Sequence, residues 1–253
     1  MSSPLAIVLA AGQGTRMKSD LPKVLVPVCD KPMVRYVLEA LRDAGVGRIV
    51  VVVGYREELV RAELADEVRA TGGDVEFVTQ AEQLGTGHAV MMAREQLSEH
   101  QGPVVVVAGD SPMLQASSLR ALLDEYQQSA PACLLGTAHH PDPTGLGRIV
   151  RDANGTFIGV VEEKDATEAQ RAITEVNMST YVFNSIDLLE SLEGLTTNNA
   201  QAEYYVTDCP SLLLHKGKQV DALPVLKDFE ALSINTVAHL AAVEEEMKRR
   251  RKS

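Results

Sequence analysis

The first apolar stretch of the chain leads into a glycine-containing loop, with the sequence Leu5-Ala6-Ile7-Val8-Leu9-Ala10-Ala11-Gly12-Gln13-Gly14-Thr15-Arg16-Met17 and then Leu21-Pro22-Lys23. The apolar run over residues 5–9 predicts a buried strand. Small residues and glycines after a strand form a loop whose backbone N–H groups can approach phosphate oxygens closely. Because Arg16 and Lys23 add two cations, the stretch predicts a triphosphate site at the end of a strand in an α/β sheet.

The glycine pair Gly12-x-Gly14 would by itself predict only a tight turn. A dinucleotide-binding fingerprint requires a third glycine where this chain has Met17, and a Walker loop requires a Gly-Lys-Ser/Thr sequence that does not follow here. The complete string, with its arginine and with Leu-Pro-Lys behind it, resembles the signature of the sugar-1-phosphate nucleotidylyltransferases.

The composition fits one large α/β domain or two small ones. The chain has 253 residues, of which 45% are hydrophobic and only 4% are aromatic, with no Trp. The core is therefore expected to consist of Val, Leu, Ile and Ala, as is usual in parallel sheets. The formal net charge of −11 argues against nucleic acid as a partner.

Cysteine usage and hydropathy favour a cytoplasmic protein. Cys29, Cys133 and Cys209 are widely spaced and odd in number, which fits neither a metal site nor a disulfide framework, so we expect reduced thiols. The sequence contains neither a secretory leader pattern nor an apolar run of membrane-spanning length, and no membrane partner is expected. The basic stretch 248–252 is interpreted as a solvated helix end, where cations favour the helix dipole.

Strands and helices alternate through the first half of the chain. Strands are predicted at 5–9, 49–53, 75–79 and 104–107, and helices at 33–44, 57–70, 88–97 and 117–128. This alternation predicts a doubly wound, mostly parallel, Rossmann-like sheet that binds ligands at the carboxyl ends of its strands.

The second half has a different pattern. Strands are predicted at 149–151, 158–162 and 176–183, with a hairpin turn at Asn154-Gly155. We interpret these strands as a small antiparallel extension that covers a second substrate. A final amphipathic helix is predicted at 234–250.

Asp110 is the predicted metal ligand. It follows the strand at 104–107 and a glycine, and Pro112 restrains the turn behind it. Nucleotidyl transfer requires neutralisation of charge at the α-phosphate, and Mg²⁺ typically achieves this with one or two protein oxygens. The alternative interpretation is that Asp110 caps the helix near Ser117.

A second string, Gln80-Ala81-Glu82-Gln83-Leu84-Gly85-Thr86-Gly87-His88, predicts a base-binding loop. A glutamine amide can both donate to and accept from a pyrimidine edge, and Gly85 would let backbone groups approach the base plane. Taken alone, the string also fits a polar turn that leads into a helix. We expect His88 to be a structural residue at the start of that helix.

Further strings extend the resemblance over nearly the whole chain and narrow it to the N-acetylglucosamine-1-phosphate uridylyltransferase domains that are fused to an acetyltransferase domain. These strings are Asp142-Pro143-Thr144-Gly145-x-Gly147-Arg148-Ile149, Val161-Glu162-Glu163-Lys164-Asp165-Ala166-Thr167, Glu175-Val176-Asn177 and Asn198-Asn199-Ala200-Gln201-x-Glu203-Tyr204-Tyr205-x-Thr207-Asp208.

The resemblance implies Mg²⁺-dependent transfer of a uridylyl group from UTP to N-acetylglucosamine 1-phosphate, a route to cell-envelope precursors. It implies roles for Arg16 and Lys23 in catalysis at the triphosphate. The implied nucleotide contacts are Leu9, Ala11, Gly12, Gly14, Thr15, Gln80, Gln83, Gly85 and Thr86. The implied sugar contacts are Gly147, Glu162, Asn177 and Tyr205, and the implied metal ligands are Asp110 and Asn235.

A single nucleotidylyltransferase domain is expected over residues 1–253. It would comprise a nucleotide-binding half at about 1–135, a sugar-binding half at about 136–230 and a C-terminal helix at about 231–253. Because the sequence has no hexapeptide repeat, we expect no left-handed β-helix acetyltransferase domain, and the oligomer is expected to be a monomer or a small homo-oligomer.

Two departures from the family pattern affect the predicted site. This chain has Asn177-Met178-Ser179 where Asn-Thr-Gly is usual, and it retains Asn235 without the glycine and arginine that usually surround it. We expect the side chains of Met178 and Ser179 to face the core, which would leave the sugar pocket unchanged.

Two alternatives stay open at this point. One is the same transfer to a different hexose 1-phosphate, and the other is a non-catalytic sensor of nucleotide sugars. The joint presence of Arg16, Lys23, Asp110 and Asn235 argues against the sensor, because binding alone does not require a metal site.

Overall fold

The computed structural model describes residues 2–14, 19–232, 234 and 236–250. The strands are β1 Leu5–Ala10, β2 Pro27–Val28, β3 Lys31–Pro32, β4 Arg48–Val53, β5 Val75–Thr79, β6 Pro103–Ala108, β7 Cys133–His139, β8 Arg148–Arg151, β9 Phe157–Val161, β10 Glu175–Asn184 and β11 Val220–Leu223. The helices are α1 Met33–Asp43, α2 Glu57–Glu63, α3 Ala65–Ala70, α4 Thr86–Met91, α5 Arg94–Glu99, α6 Ala116–Ser129, α7 Glu168–Arg171, α8 Ser185–Leu192, α9 Cys209–His215 and α10 Val237–Arg250.

A nine-stranded sheet lies at the centre of the described structure. Seven strands follow the order β11-β7-β10-β6-β1-β4-β5, and the β8–β9 hairpin joins them through β10. The strand β1 pairs in parallel with β4 and β6, while β10 runs antiparallel to β6 and β7. The prediction of a mostly parallel, doubly wound sheet is confirmed, and the loops after β1, β4 and β6 meet at one edge.

Alternate residues of the central strand pack on opposite faces of the sheet. Val8 belongs to a core that includes Leu38 of α1 and Leu122 of α6. Ile7 belongs to a second core, which includes Leu188 of α8. Because both faces are covered, the strand is a continuous apolar run rather than an alternating one.

Two predicted helices are interrupted. The helix predicted at 57–70 is divided into α2 and α3 at Leu64, and the helix predicted at 88–97 is divided into α4 and α5 at positions 92–93. Leu64 and Ala93 are fully buried at these breaks. Packing of a buried residue against the sheet therefore overrides the helical periodicity at both places, and this is a tertiary effect that a local pattern does not contain.

The prediction for the strand at 176–183 is wrong in its placement. The strand β10 lies within the central sheet, between β6 and β7, and only β8 and β9 extend away from it. Val176, near the start of β10, pairs with Arg148 of β8, so this end alone contacts the hairpin. Nearly all residues of β10 are buried, which requires cover on both faces and therefore a central position.

The C-terminal helix α10 packs on the β2–β3 hairpin through Val243 and Met247, which share a core with Val28 and Phe229. The three cysteines are free. In the described part of the chain, every helix is too short or too polar to cross a bilayer.

Candidate active site

A cleft of about 440 Å³ opens at the carboxyl ends of the parallel strands. Of the predicted site residues it is lined by Leu9, Ala11, Gly12, Lys23, Gln80, Gln83, Gly85, Thr86, Asp110, Glu162 and Tyr205. The cleft lining does not include Gly14, Gly147 or Asn177. Thr15, Arg16 and Asn235 lie outside the described residues.

The glycine loop after β1 holds Lys23. Gly14 has a φ of +68°, and a Cβ added there would lie 2.6 Å from the Cβ of Lys23. Position 14 therefore requires glycine for both its backbone conformation and the close approach of the lysine stem. This contact places Lys23 so that its Nζ forms an ion pair with Asp110 in the cleft.

Asp110 is fixed by the junction of β1 and β6. The preceding residue, Gly109, donates its N–H to the carbonyl of Leu9 at 2.9 Å, and a Cβ on Gly109 would lie 2.9 Å from the same oxygen. The backbone at the end of β6 thus lies against the end of β1, which directs Asp110 into the cleft.

Asp110 does not cap the following helix. The N-cap residue of α6 is Gln115, whose own side chain makes no capping hydrogen bond. The carboxylate of Glu230 accepts the Gln115 N–H at 2.9 Å and the Ser118 hydroxyl at 2.6 Å. Glu230 therefore accepts the hydrogen bonds at the start of this helix. The Asp110 carboxylate instead faces the cleft, where it pairs with Lys23.

The predicted base-binding end centres on Gln80, a nearly fully buried residue. Its Nε2 donates to the carbonyl of Gly85 at 3.0 Å and contacts Nδ1 of His88 at 3.0 Å. Within the described residues its Oε1 has no hydrogen-bond donor, so the amide presents an acceptor. The backbone carbonyl of Gln80 accepts from Nε2 of Gln83 at 3.3 Å.

Gly85 is needed for packing within the protein as well as for its place in the cleft. It has a φ of +107°, and an added Cβ would lie 2.5 Å from the carbonyl oxygen of Tyr204. The Gly87 N–H donates to that oxygen at 2.7 Å, and the Val206 N–H donates to the Thr86 hydroxyl at 3.1 Å. The predicted base loop is therefore attached to the segment that carries Tyr205.

The other end of the cleft is acidic and contains an unpaired buried hydroxyl. Tyr205 is 8% exposed, and its hydroxyl has no hydrogen-bond partner within the described structure. Burial and then the negative charges of Asp165 and Glu162 raise the pKa of Tyr205 to about 12, so the hydroxyl is neutral at physiological pH. Burial raises the pKa of Glu162 as well, and a hydrogen bond from Thr207 opposes this shift. Buried polar groups normally have a partner, so this one is available to a ligand or to water.

Gly147 and Asn177 support the cleft wall from behind. The Asn177 N–H donates to the Gly147 carbonyl at 2.8 Å. The Asn177 side chain is 5% exposed, donates from Nδ2 to the Tyr181 hydroxyl at 2.6 Å and accepts the Ser179 N–H at 3.3 Å. Both Nδ2 and Oδ1 of Asn177 therefore form hydrogen bonds within the protein in this conformation.

The prediction that both Met178 and Ser179 face the core is right for Met178 and wrong for Ser179. Met178 is 9% exposed and belongs to the core on the α1 side of the sheet. Ser179 lines the cleft. The reason is strand alternation: Met178 and Val182 pack on the α1 side of the sheet, whereas Ser179 and Tyr181 lie on the opposite face and line the cleft. A bulge leaves two residues between the pairs Asn177–Thr137 and Thr180–Gly136, and an insertion of two residues keeps this alternation in phase.

Several residues that were not predicted to be in the site line the cleft, including Ser179, Tyr181, Gln201, Glu203 and Thr207. Three of these belong to the string 198–208, whose polar residues gave a signal, whereas Ser179 faces the cleft because its neighbour Met178 faces the core.

Comparison with known proteins identifies similar sequences along most of the chain. A sequence profile of the MobA-like NTP transferase domain matches residues 6–199. The chain is 44% identical over 246 residues to the bifunctional protein GlmU of Streptococcus pyogenes serotype M3 (strain ATCC BAA-595 / MGAS315). The aligned region covers 97% of this chain and 52% of that protein. It is 41% identical over 250 residues to the bifunctional protein GlmU of Bacillus licheniformis, covering 99% of this chain and 53% of that protein. The chain spans about half the length of the curated relatives it matches.

A solved structure has the same fold. The crystal structure of a UDP-glucose pyrophosphorylase complexed with UDP-glucose superposes with a TM-score of 0.76, covering 98% of this chain and 100% of that one. The sequence identity is 16%, so this similarity concerns the fold alone.

Proposed function

Because the chain belongs to the family of MobA-like NTP transferase domains, we propose that it transfers a uridylyl group from UTP to N-acetylglucosamine 1-phosphate. The observation that carries the proposal is the single cleft that holds the Lys23–Asp110 ion pair together with Glu162 and the unpaired Tyr205 hydroxyl. A cation beside a carboxylate suits phosphates, and a hydroxyl beside a second carboxylate suits a sugar.

We propose that Mg²⁺ binds beside Asp110, with Asn235 as a second ligand. In the described residues no group of three or more His, Cys, Asp or Glu could enclose a metal ion. A lone carboxylate in an open cleft fits Mg²⁺, because this ion usually keeps water and substrate phosphate oxygens in its shell. When bound, the ion supplies neutralisation of phosphate charge.

The described residues would act mainly by positioning and by charge. The acceptor's phosphate oxygen attacks the α-phosphorus of UTP, a new P–O bond forms, and the bond to the pyrophosphate oxygen breaks. Lys23 would stabilise the negative charge that increases on the phosphate oxygens. Glu162 would accept hydrogen bonds from the acceptor sugar, and Tyr205 would donate one. In this proposal about residues 1–135 bind the nucleotide and about 136–230 bind the sugar.

A pyrophosphate-release assay over a matrix of substrates tests the proposal. It would combine UTP, CTP, ATP and GTP with the 1-phosphates of N-acetylglucosamine, glucosamine and glucose in the presence of Mg²⁺. We expect UTP with N-acetylglucosamine 1-phosphate to give the highest kcat/KM. A clear preference for the 1-phosphate of an unacetylated sugar would overturn the proposed acceptor. If no pair of substrates gave pyrophosphate, the proposed transfer reaction would be overturned.

Tyr205→Phe tests the sugar end of the cleft. We expect KM for the sugar phosphate to rise about tenfold, the effect of one lost hydrogen bond, with KM for UTP unchanged. The free energy of unfolding should not fall, because the substitution removes a buried hydroxyl that has no hydrogen-bond partner among the described residues.

Tyr36→Phe is the matched control for this prediction. The Tyr36 hydroxyl donates to the Val28 carbonyl at 2.7 Å in the β2–β3 region, away from the cleft. We expect this variant to lower the free energy of unfolding and to leave both KM values unchanged. An unchanged KM for the sugar phosphate in Tyr205→Phe would contradict the assigned role of Tyr205.

A further inference from the structure

A strained serine lies in the bulge of β10 and lines the cleft. Ser179 has a φ of +47°, a left-handed conformation that glycine adopts at little cost and that a side-chain-bearing residue rarely adopts. Glycine would form the same bulge more cheaply. Strained residues of this kind tend to occur at functional sites, so the side chain at this position requires an explanation.

Within the described residues, no group of the protein forms a hydrogen bond with the Ser179 hydroxyl. Its backbone N–H donates to Oδ1 of Asn177 at 3.3 Å, and Thr180 donates its hydroxyl to the Met178 carbonyl at 3.1 Å, so these neighbours stabilise the bulge without the serine hydroxyl. In the part of the chain that the structure describes, the Ser179 Oγ makes no hydrogen bond, and Ser179 is one of the residues that line the cleft. The hydroxyl therefore does not explain why the bulge forms.

The register of the sheet places Ser179 between the two ends of the cleft. Thr180 pairs with Val107 of β6, so Ser179 lies beside Ala108, two residues before Asp110. Tyr181, two residues further along β10, and Glu162 line the same cleft. A group at this position lies where the proposed phosphate end and the proposed sugar end meet.

We propose that Ser179 hydrogen-bonds the acceptor sugar phosphate, as the residue of β10 that contacts it directly, while Asn177 positions the bulge from behind. The inference rests on the proposed transfer reaction. It differs from the role expected for Asn177, whose amide is already bonded to Tyr181 and to the Ser179 backbone. The strained backbone is thereby explained as the consequence of placing a hydroxyl in the cleft.

Two variants separate the contact from the strain. Ser179→Ala retains the Cβ and the strained backbone but lacks the hydroxyl, and Ser179→Gly lacks both. We expect each to raise KM for the sugar phosphate about tenfold, with kcat and KM for UTP nearly unchanged. Only Ser179→Gly should raise Tm, by about 2 °C, because it alone relieves the left-handed conformation.

Ala130→Gly is the matched control. Ala130 is exposed after α6 with a φ of +44°, so glycine should raise Tm by a similar amount there without changing either KM. Wild-type KM for the sugar phosphate in both Ser179 variants would overturn the inference while leaving the transfer reaction intact. A folded wild-type protein that released no pyrophosphate with any substrate pair would overturn both.

Discussion

Asp110→Asn is expected to lower kcat about a hundred- to a thousandfold, the usual loss when one electrostatic contact to a developing charge is removed. The substitution keeps the size of the side chain and removes its negative charge. Asp110 pairs with Lys23, and both side chains are partly exposed, so the fold does not depend on this pair. The required Mg²⁺ concentration should rise as well, because an amide is a weaker ligand for a hard cation than a carboxylate.

Steady-state pyrophosphate release across a series of Mg²⁺ concentrations measures both effects. Asp124→Asn is the control, since Asp124 is exposed on α6 and does not line the cleft. Thermal unfolding should show similar Tm values for both variants and the wild type. Nearly full Mg²⁺-dependent turnover in a folded Asp110→Asn protein would contradict the assignment of Asp110 as a metal ligand.

The meeting of Lys23 and Asp110 in one cleft could be predicted because it depends on local sequence and on one general rule. Apolar runs identify β1 and β6, and parallel strands that end at one edge bring the loops behind them together. Lys23 and Asp110 are 87 residues apart in the chain by their numbers, yet this rule predicts that both lie at the same edge of the sheet.

The end of the cleft around Glu162 and Tyr205 could not be predicted to the same depth because it depends on tertiary contacts. Thr86 accepts from the Val206 N–H, a contact that no local pattern indicates. The strands β7 and β11 are absent from the sequence predictions, since β7 contains Gly136 and small residues and β11 has only four residues, so neither forms a clear apolar run. The bulge in β10 and the left-handed backbone of Ser179 arise where β10 pairs with β7, a strand that the sequence did not predict.

Selection of the base should depend on the orientation of the Gln80 amide. Nε2 is held by the Gly85 carbonyl and Nδ1 of His88, each at 3.0 Å, so Oε1 is the atom left to the ligand. Uracil carries an N–H donor at N3, which this oxygen can accept. Cytosine has an unprotonated nitrogen at the same position, so two acceptors would face each other in a buried site.

We expect kcat/KM for UTP to exceed that for CTP by a factor on the order of 10⁴, because a site built for hydrogen bonds rejects an analogue that leaves its polar groups unpaired. Gln80→Leu should reduce this ratio, mainly by lowering the value for UTP. Gln127→Leu, at an exposed position of α6 outside the cleft, is the control and should keep the wild-type ratio. Competition between UTP and CTP in one assay measures the ratio directly. An unchanged ratio in Gln80→Leu would assign base selection to other groups, whereas equal use of both nucleotides by the wild type would refute a uracil-specific site.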